Sequence, residues 1–194
     1  MKSNSSIFRW TVMVLPLMAL MFSACSVDVK KTADGKGKNV QIDTPVARLH
    51  VSEGADASET GLPVYPGARV SDEDNDQNHQ NANVNIATGF FGLKVVAVKY
   101  ESDDSVEKVK DYYRQKLEKY GNFLECRANT VAINPGFGDD SKSDALVCEQ
   151  NSGNNLELKA GSKNNQHVVS IEPKGTGCKF TLVYVQVHGK DTTI

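Results

Sequence analysis

The chain has 194 residues, with 22 lysines and arginines against 24 aspartates and glutamates and a formal net charge of −2. A chain of this length fits one domain of ordinary size. So weakly acidic a balance lacks the basic face from which nucleic-acid binding draws its affinity, and that class of partner is excluded.

Lys2 and Arg9 give a short positive start, Trp10 to Phe22 is a run of 13 residues without a charge, and the small residues Ser23 and Ala24 follow. This is the layout of a secretory signal peptide over residues 1–24. A helix that crosses a bilayer takes about 20 apolar residues, and Pro16 weakens this run further, so cleavage is expected rather than a transmembrane anchor. Cys25, directly after the small residues, resembles the lipobox cysteine of bacterial lipoproteins. The resemblance implies a diacylglycerol on the Cys25 sulfur, cleavage before it, and palmitate-type acyl chains, three in all, which anchor firmly where one chain alone does not. Ser26 in place of an aspartate, by resemblance to enterobacterial lipoproteins, points to the outer membrane with the domain facing the periplasm. The alternative is ordinary cleavage near Ala24 with a free thiol left behind. Either way Lys2 and Arg9 are lost, and 20 basic residues face 24 acidic ones at a charge of −4.

Residues 25–43 are polar, lysine-rich and punctuated by glycine, and read as a flexible tether that holds the domain off the bilayer. A single domain over 44–194 then opens on a strand-like stretch at 44–51. In "GLPVYPGARV", Pro66 and Gly67 suit the central pair of a type II turn, with Val64 and Tyr65 as an inward anchor. Residues 71–81 form an acidic, asparagine-rich loop. Asp72, Asp74 and Asp76 imitate the first ligands of an EF-hand, but Gln77 and Asn83 stand where its glycine and bidentate glutamate belong, so no metal site is assigned.

Residues 83–102 read as two strands, with Gly89 and Gly92 bracketing a hairpin turn. Phe90 and Phe91 form either an exposed apolar tip or a core contact. Over 103–121, Val106, Val109, Tyr113, Leu117 and Tyr120 recur at helical spacing, Asp104 and Glu107 have the spacing of a capping box, and Gly121 stands where a helix stops. Apolar runs at 122–128, 144–149, 155–160, 166–172 and 178–188 then predict five more strands in a meander. The expected class is α+β, one long helix packed on a mainly antiparallel sheet.

Cys126, Cys148 and Cys178 remain once Cys25 is acylated, and an exported chain sits where disulfides persist. Cys126 and Cys148 lie in successive strand-like stretches and are the expected pair, with Cys178 buried as a small apolar residue; the alternative is three reduced, buried thiols. There is no C-x-x-C, no nucleophile elbow, no zinc helix and no complete glycine-rich phosphate loop. His50, His79, His167 and His188 are scattered, without acidic or thiol partners at metal-ligand spacing. No cofactor, no metal and no catalytic residue is expected, and the protein is read as no enzyme.

The segments "LPVYPGA" (62–68), "NVNIATGFFGLKVVAVKYESDD" (83–104) and "NQHVVSIEPKG" (165–175) resemble a group of uncharacterised bacterial lipoproteins of the acidobacterial type. The resemblance implies a place in the cell envelope and supplies no mechanism. The first reading is therefore a lipid-anchored, non-enzymatic envelope module that binds another envelope protein or a surface polymer. A periplasmic small-ligand binder, with a pocket at Tyr65, Tyr112 and Tyr113 between helix and sheet, is the second, and a hydrolase the third.

Overall fold

The computed structural model describes residues 26–31, 38–71, 81–131, 143–149 and 151–189. In chain order the strands are β1 (Ser26–Lys31), β2 (Lys38–Asp43), β3 (Ala47–Glu53), β4 (Arg69–Val70), β5 (Ala82–Thr88) and β6 (Phe91–Ser102). The helix α1 (Val106–Leu117) follows, then β7 (Phe123–Ala128), β8 (Asn155–Ser162), β9 (Asn165–Lys174) and β10 (Gly177–Gly189). They form one sheet in the order β1-β2-β3-β5-β6-β10-β9-β8-β7, with β4 extending the β5 side of β6, and every pairing of these strands is antiparallel. This is a mainly-β arrangement with one helix, compatible with the expected class but weighted toward the sheet.

The centre is the pair of long strands β6 and β10, in register from Phe91↔Gly189 to Ser102↔Cys178. Alternation assigns their side chains to two faces. Val96, Val98 and Tyr100 of β6 and Cys178, Phe180 and Leu182 of β10 join Leu156, Leu158, Val169 and Ile171 under α1, whose Val109, Tyr113 and Leu117 are fully buried. Each such side chain taken from water contributes roughly 1.5–3 kcal/mol, which is what holds a 12-residue helix too short to be stable alone. The opposite face carries Val168, Val183 and Val185 with Leu93, Val95, Ala97 and Val187. It also buries an ion pair, Lys159 Nζ to Glu157 Oε2 at 3.2 Å, with both side chains 1 % exposed.

Four expectations are corrected. The stretch read as a tether contains β1 and β2, paired with each other and through β2 to β3; Val27, Val29, Val40 and Ile42 alternate with polar residues, a strand period that the lysines and glycines obscure. Residues 144–149 form no strand and are held by side chains instead, Leu146 buried and Cys148 bonded to Cys126. The helix begins one residue later than a capping box at Asp104 would place it, since Ser105 is the N-cap and makes no side-chain cap bond. The hairpin turn spans Gly89 and Phe90, while Gly92 lies within β6.

Elsewhere local chemistry acts as read. The Pro66-Gly67 turn is closed by Ala68 N donating to Tyr65 O at 3.0 Å, with Gly67 at φ +77°, a value glycine adopts without strain. Tyr65 is buried, but Val64 faces solvent. Among the described residues no helix is long and apolar enough to cross a membrane. Cys25, the signal segment and most of the acidic loop lie outside the described residues.

Candidate functional site

The three tyrosines expected to line a pocket do come together, and they fill the space themselves. Tyr65 meets Tyr112 edge-on at 5.1 Å and Phe180 at 6.4 Å, Tyr112 meets Tyr113 at 5.0 Å, and Tyr113 meets Phe180 at 5.5 Å. Their hydroxyls are engaged as well: Tyr65 Oη donates to Asp104 Oδ2 at 2.9 Å, Tyr113 Oη to Pro63 O at 3.2 Å and Tyr112 Oη to Val64 O at 3.4 Å. The pocket placed at Tyr65, Tyr112 and Tyr113 is thus corrected to a packed aromatic cluster that fixes the 62–68 segment to the helix. Edge-to-face rings at these separations add to the area they bury.

A different group has the makings of a site, and it is built from four elements. Asp56 caps a short 3-10 turn (Ala57–Thr60): its carboxylate accepts from Ser58 N at 2.8 Å, and Asp56 N donates back to Glu59. Gly61 ends the turn at φ +72°, and a Cβ there would lie 2.8 Å from Tyr120 Oη and 3.2 Å from His167 Cε1. The turn thereby presents two carbonyls to the next layer. Tyr120 Oη donates to Gly61 O at 2.6 Å, and His167 Nδ1 lies 2.9 Å from Thr60 O. The Tyr120 and His167 rings stack at 3.5 Å and 20°, with Tyr184 tilted against His167 at 4.9 Å.

Because a carbonyl only accepts, Nδ1 carries the proton and Nε2 keeps its lone pair in the neutral ring. Burial holds His167 below the ordinary histidine pKa, outweighing the upward effect of the Thr60 carbonyl, and the nearby Lys119 lowers it further. Among the described residues Nε2 meets no hydrogen-bond partner. The ring borders a hollow of about 360 Å³ lined by Tyr120, Asn122, Gly161, Ser162 and Asn165. What this arrangement can do is accept one hydrogen bond, or one proton, from something lying in the hollow. No three His, Cys, Asp or Glu side chains among the described residues come together to hold a metal.

A second hollow, of about 410 Å³, lies on the face of the sheet away from α1, where Lys99, Ser170, Glu172, Lys179 and Thr181 line it. Two lysines and one glutamate give it no strong field of either sign.

The structure joins Cys126 to Cys148 as a disulfide, with the Cα atoms 5.6 Å apart, and leaves Cys178 a buried free thiol. Burial raises the Cys178 pKa to about 11, so it stays an unreactive thiol at neutral pH. His167 escaped the sequence reading because its anchor, Thr60, is 107 residues away. The one local signal was the D-x-x-E spacing of Asp56 and Glu59, which marks a capped turn.

Comparison with family models, with characterised proteins and with solved structures found no match.

Proposed function

We propose that the protein is a lipid-anchored lipoprotein of a bacterial cell envelope, with an α+β domain that acts as a non-enzymatic binding module for another envelope protein or a surface polymer. The observation that carries this reading is Cys25, placed directly after Ser23 and Ala24 at the end of a 13-residue uncharged run. Ser26 supports the outer membrane as its place and the periplasm as the compartment the domain faces. An intact mass of the protein extracted from membranes tests it, taken before and after reduction with alkylation under denaturing conditions. The expected mass begins at Cys25 and includes acyl chains, with Cys178 alone alkylated before reduction. An unlipidated mass sinks the anchor. Cross-linking in cells that traps no envelope partner and no polymer counts against the binding module.

A second reading, a small-ligand binder, is supported by the open Nε2 of His167 beside its hollow. A small polar ligand with a hydrogen-bond donor for His167 suits a hollow otherwise lined by Asn122, Ser162 and Asn165. A screen of such compounds by the imidazole NMR signals of His167 tests it, and unmoved signals throughout would remove it.

A further inference from the structure

The strand register gathers three features at one end of the sheet. A single row runs Ser26↔Asp43, Asp43↔Arg48, Arg48↔Ala87, Ala87↔Gly92 and Gly92↔His188. Beyond that row lie the β2–β3 turn with Val46 and the β5–β6 turn with Phe90. Val46 is 78 % exposed and Phe90 81 %, and both are large apolar side chains projecting past the same rim. Phe91 stands beside them, 37 % exposed.

Both turns are pinned. In the first, Thr44 Oγ1 accepts from Ala47 N and donates to Ala47 O, both at 2.9 Å. In the second, Thr88 Oγ1 accepts from Phe90 N at 3.1 Å and Phe91 N at 3.0 Å, and donates to Phe91 O at 3.1 Å. Phe90 and Val46 therefore project from turns that side-chain hydrogen bonds hold in place. Such side chains gain free energy where something apolar meets them, by the same area argument that stabilises the core.

The chain itself indicates what does. β1 begins at Ser26, so the residue that would carry the acyl chains, Cys25, is one residue from the rim, within about 3.8 Å. From β1 to β6 is four strand spacings, about 19 Å. We propose that this rim, bearing Val46 and Phe90, rests in the headgroup region of the bilayer that holds the Cys25 lipid, with the strands standing away from the membrane. The inference rests on the lipoprotein reading and adds an orientation to it: an anchor with no slack, a rim that inserts, and an outer end at the β9–β10 turn (Gly175 and Thr176) presented to partners.

Trp10, in the cleaved segment, is the chain's one tryptophan, so an introduced indole reports alone in the mature protein. The full chain is expressed, extracted from membranes, and reconstituted into phosphatidylethanolamine and phosphatidylglycerol vesicles with brominated acyl chains, as Phe90→Trp, Val46→Trp and Thr176→Trp. All three positions are exposed, and circular dichroism checks each fold. At a depth of about 5–10 Å, the indoles of Phe90→Trp and Val46→Trp should lose more than half of their emission to the bromines and shift to the blue, while that of Thr176→Trp should lose none. A lipidated mass with no quenching in the two rim variants, or with equal quenching in all three, overturns the orientation and leaves the anchor standing. Concentration-dependent burial of the Phe90→Trp indole without quenching also overturns it and makes the rim a contact between copies. An unlipidated mass removes the anchor first, and the orientation with it.

Discussion

Tyr65 Oη donates a 2.9 Å hydrogen bond to Asp104 Oδ2, tying the Pro66-Gly67 turn to the entrance of α1 across 39 residues of chain. Lys108 Nζ reaches the other oxygen of the same carboxylate at 2.7 Å. One aspartate thus joins a loop to the first turn of a helix whose N-cap is the next residue, Ser105.

The Lys108 ammonium first, and the Tyr65 hydroxyl second, hold the Asp104 carboxyl below the ordinary aspartate pKa. A lowered folded value means that the ionised form favours the fold. The contribution is complete above the unfolded value near 3.9 and disappears as pH falls through the lower folded value. Tyr65→Phe is accordingly expected to lower the thermal midpoint at pH 7, with a gap from wild type that closes under acid. Melting curves at a series of pH values check this, and a gap that stays constant to the most acid point would show that the ring, not the hydroxyl bond, is responsible.

The disulfide between Cys126 and Cys148 closes a loop with a sequence separation of 22. Chain entropy alone gives such a loop about 3 kcal/mol. Reduction, or Cys148→Ser, is expected to lower the unfolding free energy by that order, read as a lower denaturant midpoint, while leaving the sheet assembled. Cys126 is the more sensitive of the two, being 1 % exposed on β7, so Cys126→Ser should cost more than Cys148→Ser. Equal midpoints with and without reductant would show that the bridge adds nothing.

How far the sequence foretold all this depended on distance along the chain. The Pro66-Gly67 turn and the Val106, Val109, Tyr113, Leu117 stripe are local signals, and both were legible. β1 and β2 were hidden because Lys30, Lys31, Lys36 and Lys38 dominate a stretch whose valines and isoleucine keep a period of two. Tyr65, Tyr112 and Tyr113 were correctly placed together, but whether three rings leave a hollow or fill one is decided by packing that no spacing encodes. The stack of Tyr120 on His167 needs the Ala57–Thr60 turn, the short 3-10 turn Glu118–Tyr120 that follows α1, and β9 all in position, and no single window of sequence contains them.

Glu157 and Lys159 alternate with Leu156 and Leu158, a pattern that ordinarily marks a solvent-facing side. Here both charged side chains are buried and paired at 3.2 Å. Lys159→Met removes the ammonium 3.2 Å from a buried carboxylate and is expected to cost well over the roughly 1 kcal/mol of a solvated pair, whereas Glu157→Leu combined with Lys159→Met should recover most of that loss. Urea unfolding of the three proteins makes the comparison. A single-variant loss under about 1 kcal/mol would mark the pair as solvated in practice.

His167 supplies the last expectation, because burial, more than any neighbour, keeps its pKa below the ordinary value of about 6.5. The unfolded chain therefore takes up a proton at a higher pH than the fold does. Stability from this group is whole above pH about 6.5 and is lost as pH falls from there to the lower folded pKa. Since Nδ1 is committed to Thr60 O, a ligand that uses Nε2 must meet the neutral ring, and binding should fade over the same acid range. His167→Gln keeps a donor for Thr60 O but cannot titrate, so its thermal midpoint should lie below wild type at pH 7.5 and fall less steeply between pH about 6.5 and 5. Parallel curves for the two proteins would mean that His167 protonates as freely in the fold as in the unfolded chain, and the closed environment drawn from Tyr120, Tyr184 and the Gly61 turn would have to be abandoned.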